Sequence, residues 1–207
     1  YGGVFRNTDG GTSDSWSFRY KWWKPTCLAS DPADNNVVYL GTKLNGYVAR
    51  SDDGGIFFTD ISPSSDWLDA VYDLVVGSDS RVYAATSDGL WCWDTTVWSK
   101  IIQLPSEIHA LAIDRSTNPG TLYAGTKQNG VYVSVDQGRS WIPLNDGMED
   151  LWITNLVISS SQPKTVYAGT MYSGVWSTSA YYDQDEESDP DRSNRIAMPW
   201  LMLLLDD

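Results

Sequence analysis

VYLGT at residues 38–42 recurs as VYAAT at 82–86, LYAGT at 122–126 and VYAGT at 166–170. The four tyrosines, Tyr39, Tyr83, Tyr123 and Tyr167, stand 44, 40 and 44 residues apart. Self-similarity at this period marks a stacked architecture, because a unit of such size buries its apolar face only against its neighbours. Within each phrase, branched or aromatic residues alternate with small ones, the two-residue period of a strand. A glycine-bearing turn follows every copy: Asn45-Gly46, Asp88-Gly89, Asn129-Gly130 and Ser173-Gly174. Asn-Gly and Asp-Gly supply the positive φ angles of a tight hairpin, so a second strand is expected at once.

That strand is present as Tyr47-Val48-Ala49, Leu90-Trp91-Cys92, Val131-Tyr132-Val133 and Val175-Trp176-Ser177. Upstream of three phrases lies another apolar stretch, VYDLVV at 71–76, IHALAI at 108–113 and ITNLVI at 153–158, with the shorter Cys27-Leu28-Ala29 in the first repeat. A fourth strand is expected to end near Trp16, Phe57, Trp98 and Trp141. Four strands in about 40 residues make one blade of a propeller. The fold class expected is therefore all-β, a β-propeller or partial propeller of four-stranded antiparallel blades with about four to five repeats. The boundaries follow: a repeat domain over 1–180, with a half-blade at 1–20 and repeats at about 23–62, 67–102, 104–148 and 149–180; an acidic linker over 181–195; and an apolar tail over 196–207.

The third repeat carries the sharpest local motif, Ser134-Val-Asp136-Gln-Gly138-Arg-Ser140-Trp141. In such a turn the aspartate accepts backbone N–H groups, the glycine takes φ > 0 and the tryptophan packs on neighbouring strands. The pattern resembles the Asp-box (BNR) repeat, S-x-D-x-G-x-[ST]-W, which recurs in sialidases, sortilin-type receptors, xyloglucan-cleaving glycosidases and photosystem-assembly propellers. Looser copies are Asp9 and Gly11 followed by Trp16, and Asp52 and Gly54 with Phe57 in place of the tryptophan. The second repeat, with Asp94 and Trp98, lacks the glycine, and the fourth lacks the motif. The resemblance covers residues 3–180 and implies a fold, while one such fold hosts many activities.

Fourteen basic against 27 acidic side chains give a net charge of −13, which argues against nucleic acid or an anionic membrane as partner. Cys27 and Cys92 fall on different strands of different repeats, and two buried thiols are expected rather than a disulfide. No stretch is apolar for long enough to span a bilayer. The chain begins at Tyr1 without Met, which reads as a removed leader or a fragment, and the expected location is secreted or at the cell surface. Asp183, Asp185, Asp189 and Asp191 alternate as calcium ligands do, but without a glycine turn or a bidentate glutamate they read as a solvated linker. Two closures of the ring are open: residues 15–20 as the outer strand of the last blade, or residues 200–206 as the innermost strand of a further, split blade.

Chemistry is harder to place. The eight arginines are scattered and give no carboxylate-binding cluster of the kind a sialidase uses. Xyloglucan-cleaving relatives place paired aspartates between two large propellers, which 207 residues do not supply. His109, the one histidine, lies within an apolar strand and reads as packing. The expectation is a chain that is not itself an enzyme and needs no cofactor and no metal.

Topology favours one binding surface, because blade-to-blade connections share a face opposite the Asp-box turns. Tyr20, Trp22, Trp23, Trp67 and Trp152 fall at those connections, and Trp200 opens the apolar tail. Such rings stack on sugars and anchor protein interfaces. The reading is a non-catalytic extracellular module whose partner is another protein or a second copy; the alternative is glycan binding, or a fragment of a glycoside hydrolase.

Overall fold

The computed structural model describes residues 3–8, 16–20, 24–63, 70–104, 107–160, 164–178 and 201–203, and among these every regular element is a strand. A two-stranded sheet, β1 (Val4–Arg6) with β2 (Ser17–Tyr20), precedes four sheets of four antiparallel strands. The first comprises β3 (Pro25–Ser30), β4 (Val38–Thr42), β5 (Val48–Ser51) and β6 (Thr59–Asp60). The second holds β7 (Val71–Val76), β8 (Val82–Thr86), β9 (Gly89–Trp93) and β10 (Trp98–Ile101). In the third are β11 (Ile108–Asp114), β12 (Thr121–Thr126), β13 (Val131–Ser134) and β14 (Ile142–Pro143). The fourth has β15 (Ile153–Ile158), β16 (Val166–Thr170), β17 (Val175–Thr178) and β18 (Leu201–Leu203). Strands are paired in chain order, so each sheet is a meander. The fourth strands start at or just after Trp16, Phe57, Trp98 and Trp141 instead of ending there.

Neither expected closure forms. β2 pairs with β1, Phe18 opposite Phe5, because its nearest edge in sequence closes the shortest loop. Residues 201–203 take an outer position, not an innermost one: Leu203 lies opposite Val175 and Leu201 opposite Ser177, completing a sheet that otherwise has three strands.

Each letter of the recurrent phrase has a structural task. Its tyrosine is buried in the first three sheets and packs toward the following sheet. Its glycine lets the next sheet approach: a Cβ on Gly125 would lie 2.5 Å from Cγ2 of Ile153, and one on Gly41 2.7 Å from Cγ1 of Val71. Its threonine staples the hairpin. Thr126 Oγ1 donates to the Gly130 carbonyl at 2.9 Å and accepts from the Asn129 amide at 2.8 Å, and Thr170 repeats both bonds with Gly174 and Ser173 at 3.0 and 3.1 Å. Only the first hairpin has two successive positive φ angles, 63° at Asn45 and 55° at Gly46; in the others the threonine bonds take over part of that work.

At the lower rim the turn after β13 is tied together by side chains. Ser134 Oγ donates to Asp136 Oδ1 at 2.8 Å and accepts from the Gly138 amide at 2.9 Å, while Asp136 also receives the Ser140 amide at 2.9 Å. Gly138 has φ of 83°, and Trp141 Nε1 donates back to its carbonyl at 3.0 Å. The equivalent turn in the first sheet is displaced by one residue from the sequence reading. Asp53, not Asp52, receives the Ile56 and Phe57 amides at 2.9 and 3.0 Å, and Gly55, not Gly54, donates its amide to Ser51 Oγ at 2.8 Å. Phe58, not Phe57, is the buried aromatic. Asp52 pairs instead with Arg50 at 2.6 Å, and the Gly54 amide goes to the Asn36 carbonyl. Asp9 and Gly11 lie outside the described residues, and the Trp16 ring is exposed.

Candidate functional site

At the opposite, upper rim all four inner strands carry the same irregularity. The ladder skips one residue between Pro25 and Cys27, Val71 and Asp73, Ile108 and Ala110, and Ile153 and Asn155. The skipped residues are Thr26, Tyr72, His109 and Thr154. A bulge of this kind re-aims its side chain without disturbing the rest of the strand. Thr26 and Thr154 turn their hydroxyls back onto the ladder, donating to the Gly41 and Gly169 carbonyls at 3.1 Å. Tyr72 and His109 are too large for that and reach along the rim, their rings 4.5 Å apart.

They begin a row of rings that crosses three sheets. His109 meets the edge of Trp152 with centroids 6.3 Å apart, and Trp152 meets Tyr172 edge-on at 6.0 Å. Trp152 stands just before β15 and Tyr172 in the hairpin after β16. Asp150 braces both, its carboxylate accepting the Trp152 amide at 2.9 Å and the Tyr172 amide at 2.7 Å. The Tyr172 ring is 76% exposed, and neighbouring Met171 is exposed as well. Trp152 is half-buried, with Lys127 Nζ 5.5 Å from its ring centre.

Charged groups line the row. Glu107 receives both Lys127 Nζ, at 3.0 and 2.9 Å, and lies 3.2 Å from His109 Nε2. Burial alone would raise the Glu107 pKa, but hydrogen bonds from Lys127 and His109 outweigh it and hold the carboxyl below its ordinary value. Its bond to Glu107 raises the Lys127 pKa in turn. At Asp150 burial is likewise outweighed, here by the amides of Trp152 and Tyr172. Both carboxylates are thus fixed as charged acceptors, suited to receive hydroxyl groups beside an exposed ring. Among the described residues, no group of three His, Cys, Asp or Glu side chains is placed to hold a metal.

Of the aromatic positions singled out from sequence, Trp152 lies in this row. Tyr20 is in β2, with its backbone opposite Val4. Trp22, Trp23, Trp67 and Trp200 lie outside the described residues. Tyr72, Glu107, Lys127, Asp150 and Tyr172 were missed, and His109, read as packing, joins them. A usable signal existed: Tyr72 and His109 share one repeat position, and Lys127 and Met171 share another, directly after the phrase threonine.

No family model matches the chain. It is 28% identical over 153 residues to a xyloglucanase of Hypocrea jecorina (strain QM6a), a match that takes in 68% of this chain and 16% of the relative. Among solved structures it superposes on the GH74 xyloglucanase from Xanthomonas campestris with a TM-score of 0.63 at 22% identity, covering 79% of this chain and 31% of that one. It also superposes on a chain of a nidogen/laminin complex with a TM-score of 0.65 at 14% identity, covering 84% and 69%. These structural likenesses show a propeller-like fold. The sequence relative corrects the expectation that the chain stands apart from enzymes: the similarity runs along most of its length to a xyloglucanase. That expectation rested on the absence of a compact catalytic motif, whereas the likeness is distributed over repeats.

Proposed function

We propose that this chain is a propeller segment of a secreted glycoside hydrolase with Asp-box repeats, acting on a xyloglucan-like β-glucan, and that the upper-rim row is a sugar-binding surface of it. The identity to a xyloglucanase over 153 residues carries this reading. The chain spans 16% of that relative, so bond cleavage belongs to the whole enzyme, and the role assigned to these residues is to hold the polysaccharide.

The chemistry of the row supports it. A pyranose offers an apolar face of C–H groups and a rim of hydroxyls. Tyr172 supplies an exposed ring for the former, and Trp152 sets its angle. Glu107 and Asp150, kept ionised by their partners, accept hydroxyl protons, while Lys127 and His109 sit beside Glu107 as donors. Calorimetric titration with xyloglucan oligosaccharides tests this. Binding is expected, with Tyr172→Ala weakening it by about 3- to 10-fold, the equivalent of about 0.5–1.5 kcal/mol for a lost ring contact. Failure of the intact chain to bind these oligosaccharides, or an unaffected Tyr172→Ala variant, overturns the proposal.

A further inference from the structure

The three boundaries between the four large sheets repeat one packing. On its trailing face each sheet presents the phrase tyrosine and a residue of the third strand: Tyr39 with Val48, Tyr83 with Leu90, Tyr123 with Val131. The leading face of the next sheet covers them with two residues of its inner strand, Val71 and Leu74, Ile108 and Leu111, Ile153 and Leu156. All twelve side chains are buried.

The fourth sheet presents the same trailing face, and no described residue covers it. Tyr167 lies opposite Val157 in the ladder, and Val175 opposite Gly169. Val157 is 60% exposed and Val175 41%, although the residues equivalent to Val175 in the other sheets, Val48, Leu90 and Val131, are fully buried. Gly169 gives a second reading of the same gap. A Cβ there would meet only its own sheet, at 3.4 Å or more, whereas one at Gly41 or Gly125 would strike the following sheet.

The other end of the array shows the converse. Leu28, opposite Leu40 in the ladder, is the first sheet's counterpart of Leu74, Leu111 and Leu156, yet it is 56% exposed. Val4 of β1 packs with Leu40, Ala49 and Phe58, so the two-stranded sheet covers the outer part of this leading face and leaves the inner part open. On the far side of that small sheet, Phe5 and Phe18 stack edge-on at 5.4 Å, both more than half exposed.

One molecule thus carries an uncovered trailing face and an uncovered leading face, the two halves of a packing it makes three times internally. We infer that the chain associates head-to-tail with a second copy of itself, the Val157, Tyr167 and Val175 face of one molecule seating the Leu28, Phe5 and Phe18 end of the next. Such a contact is heterologous: it joins two different surfaces, and blocking one surface leaves the other competent.

That property supplies the test, which is independent of any sugar. Sedimentation velocity of the 207-residue protein at increasing concentration is expected to show species of two or more copies. Val157→Lys blocks the trailing face and Leu28→Lys the leading one; both replace exposed side chains, and circular dichroism confirms that each variant folds. Each variant alone is expected to sediment as a monomer, and an equimolar mixture of the two as a dimer that does not grow. A wild-type protein that stays monomeric at its solubility limit overturns the inference. So does a mixture that fails to pair, or a wild-type oligomer that either substitution leaves intact.

Discussion

Asp73, next to the bulge in β7, accepts the amide of Leu111 from β11 at 2.8 Å, so one carboxylate joins the inner strands of two successive sheets. Its other oxygen takes the Leu74 amide, also at 2.8 Å. Burial raises the Asp73 pKa above 3.8 in spite of these bonds. The folded chain therefore holds this proton more tightly than the unfolded one. The resulting stabilisation is complete below pH 3.8 and is lost as pH rises through the raised native value. Asp73→Ala should lower stability at neutral pH by about 1–3 kcal/mol, because the Leu111 amide loses its acceptor in a buried position. Urea unfolding at several pH values should also show that this part of the pH dependence has gone; a variant as stable as the parent with the same profile contradicts the account.

The phrase glycines are predicted to differ sharply. Gly125→Ala forces a methyl group to within 2.5 Å of Ile153 and should cost about 1–3 kcal/mol by overpacking. Gly169→Ala meets nothing closer than 3.4 Å and should stay within about 0.5 kcal/mol of the parent. Thermal unfolding of the two variants at a concentration where the protein is monomeric decides it, and equal losses would mean that the fourth sheet is covered after all.

A third pair tests the lower-rim turns. Asp136→Ala removes the acceptor for the Ser140 amide and the partner of Ser134, and should cost about 1–3 kcal/mol while leaving sugar binding unchanged. Asp53→Ala should behave likewise, and Asp52→Ala should be nearly silent, since its partner Arg50 is a surface ion pair. A larger loss from Asp52→Ala than from Asp53→Ala would restore the register first read from the sequence.

The two cysteines are unpaired thiols. Burial, partly offset by a hydrogen bond from Thr26, pushes Cys27 up to about 12, and burial pushes Cys92 up to about 11. Thiolate is the reactive form, so a disulfide reagent at pH 8 should modify the native protein far more slowly than the protein in denaturant. Comparable rates in the two conditions would show that the thiols are not shielded.

The blades were legible because everything that makes them lies within one phrase: a tyrosine for the next sheet, a glycine for close approach, a threonine for the hairpin. The register of the first turn was not, because the run Asp52-Asp53-Gly54-Gly55 offers each residue type twice, and hydrogen bonding alone chooses between them. The rim was legible only at Trp152. Its other members come from three sheets, with Tyr72 and Glu107 35 residues apart in the chain, and a bulge is invisible in a pattern that alternates around it. The kinship to a xyloglucanase was missed for a related reason: no short stretch carries it.

The bulge itself has a consequence for how such a chain can change. A residue skipped by the ladder answers to neither neighbouring strand, so its identity is free of the constraint that keeps tyrosine, glycine and threonine in the phrase. Thr26, Tyr72, His109 and Thr154 occupy the same slot in four otherwise similar units. Each duplication of the unit therefore delivers one position where novelty costs the scaffold little, always at the same end of the sheet, so that diversification accumulates on one side of the molecule while the other side stays fixed.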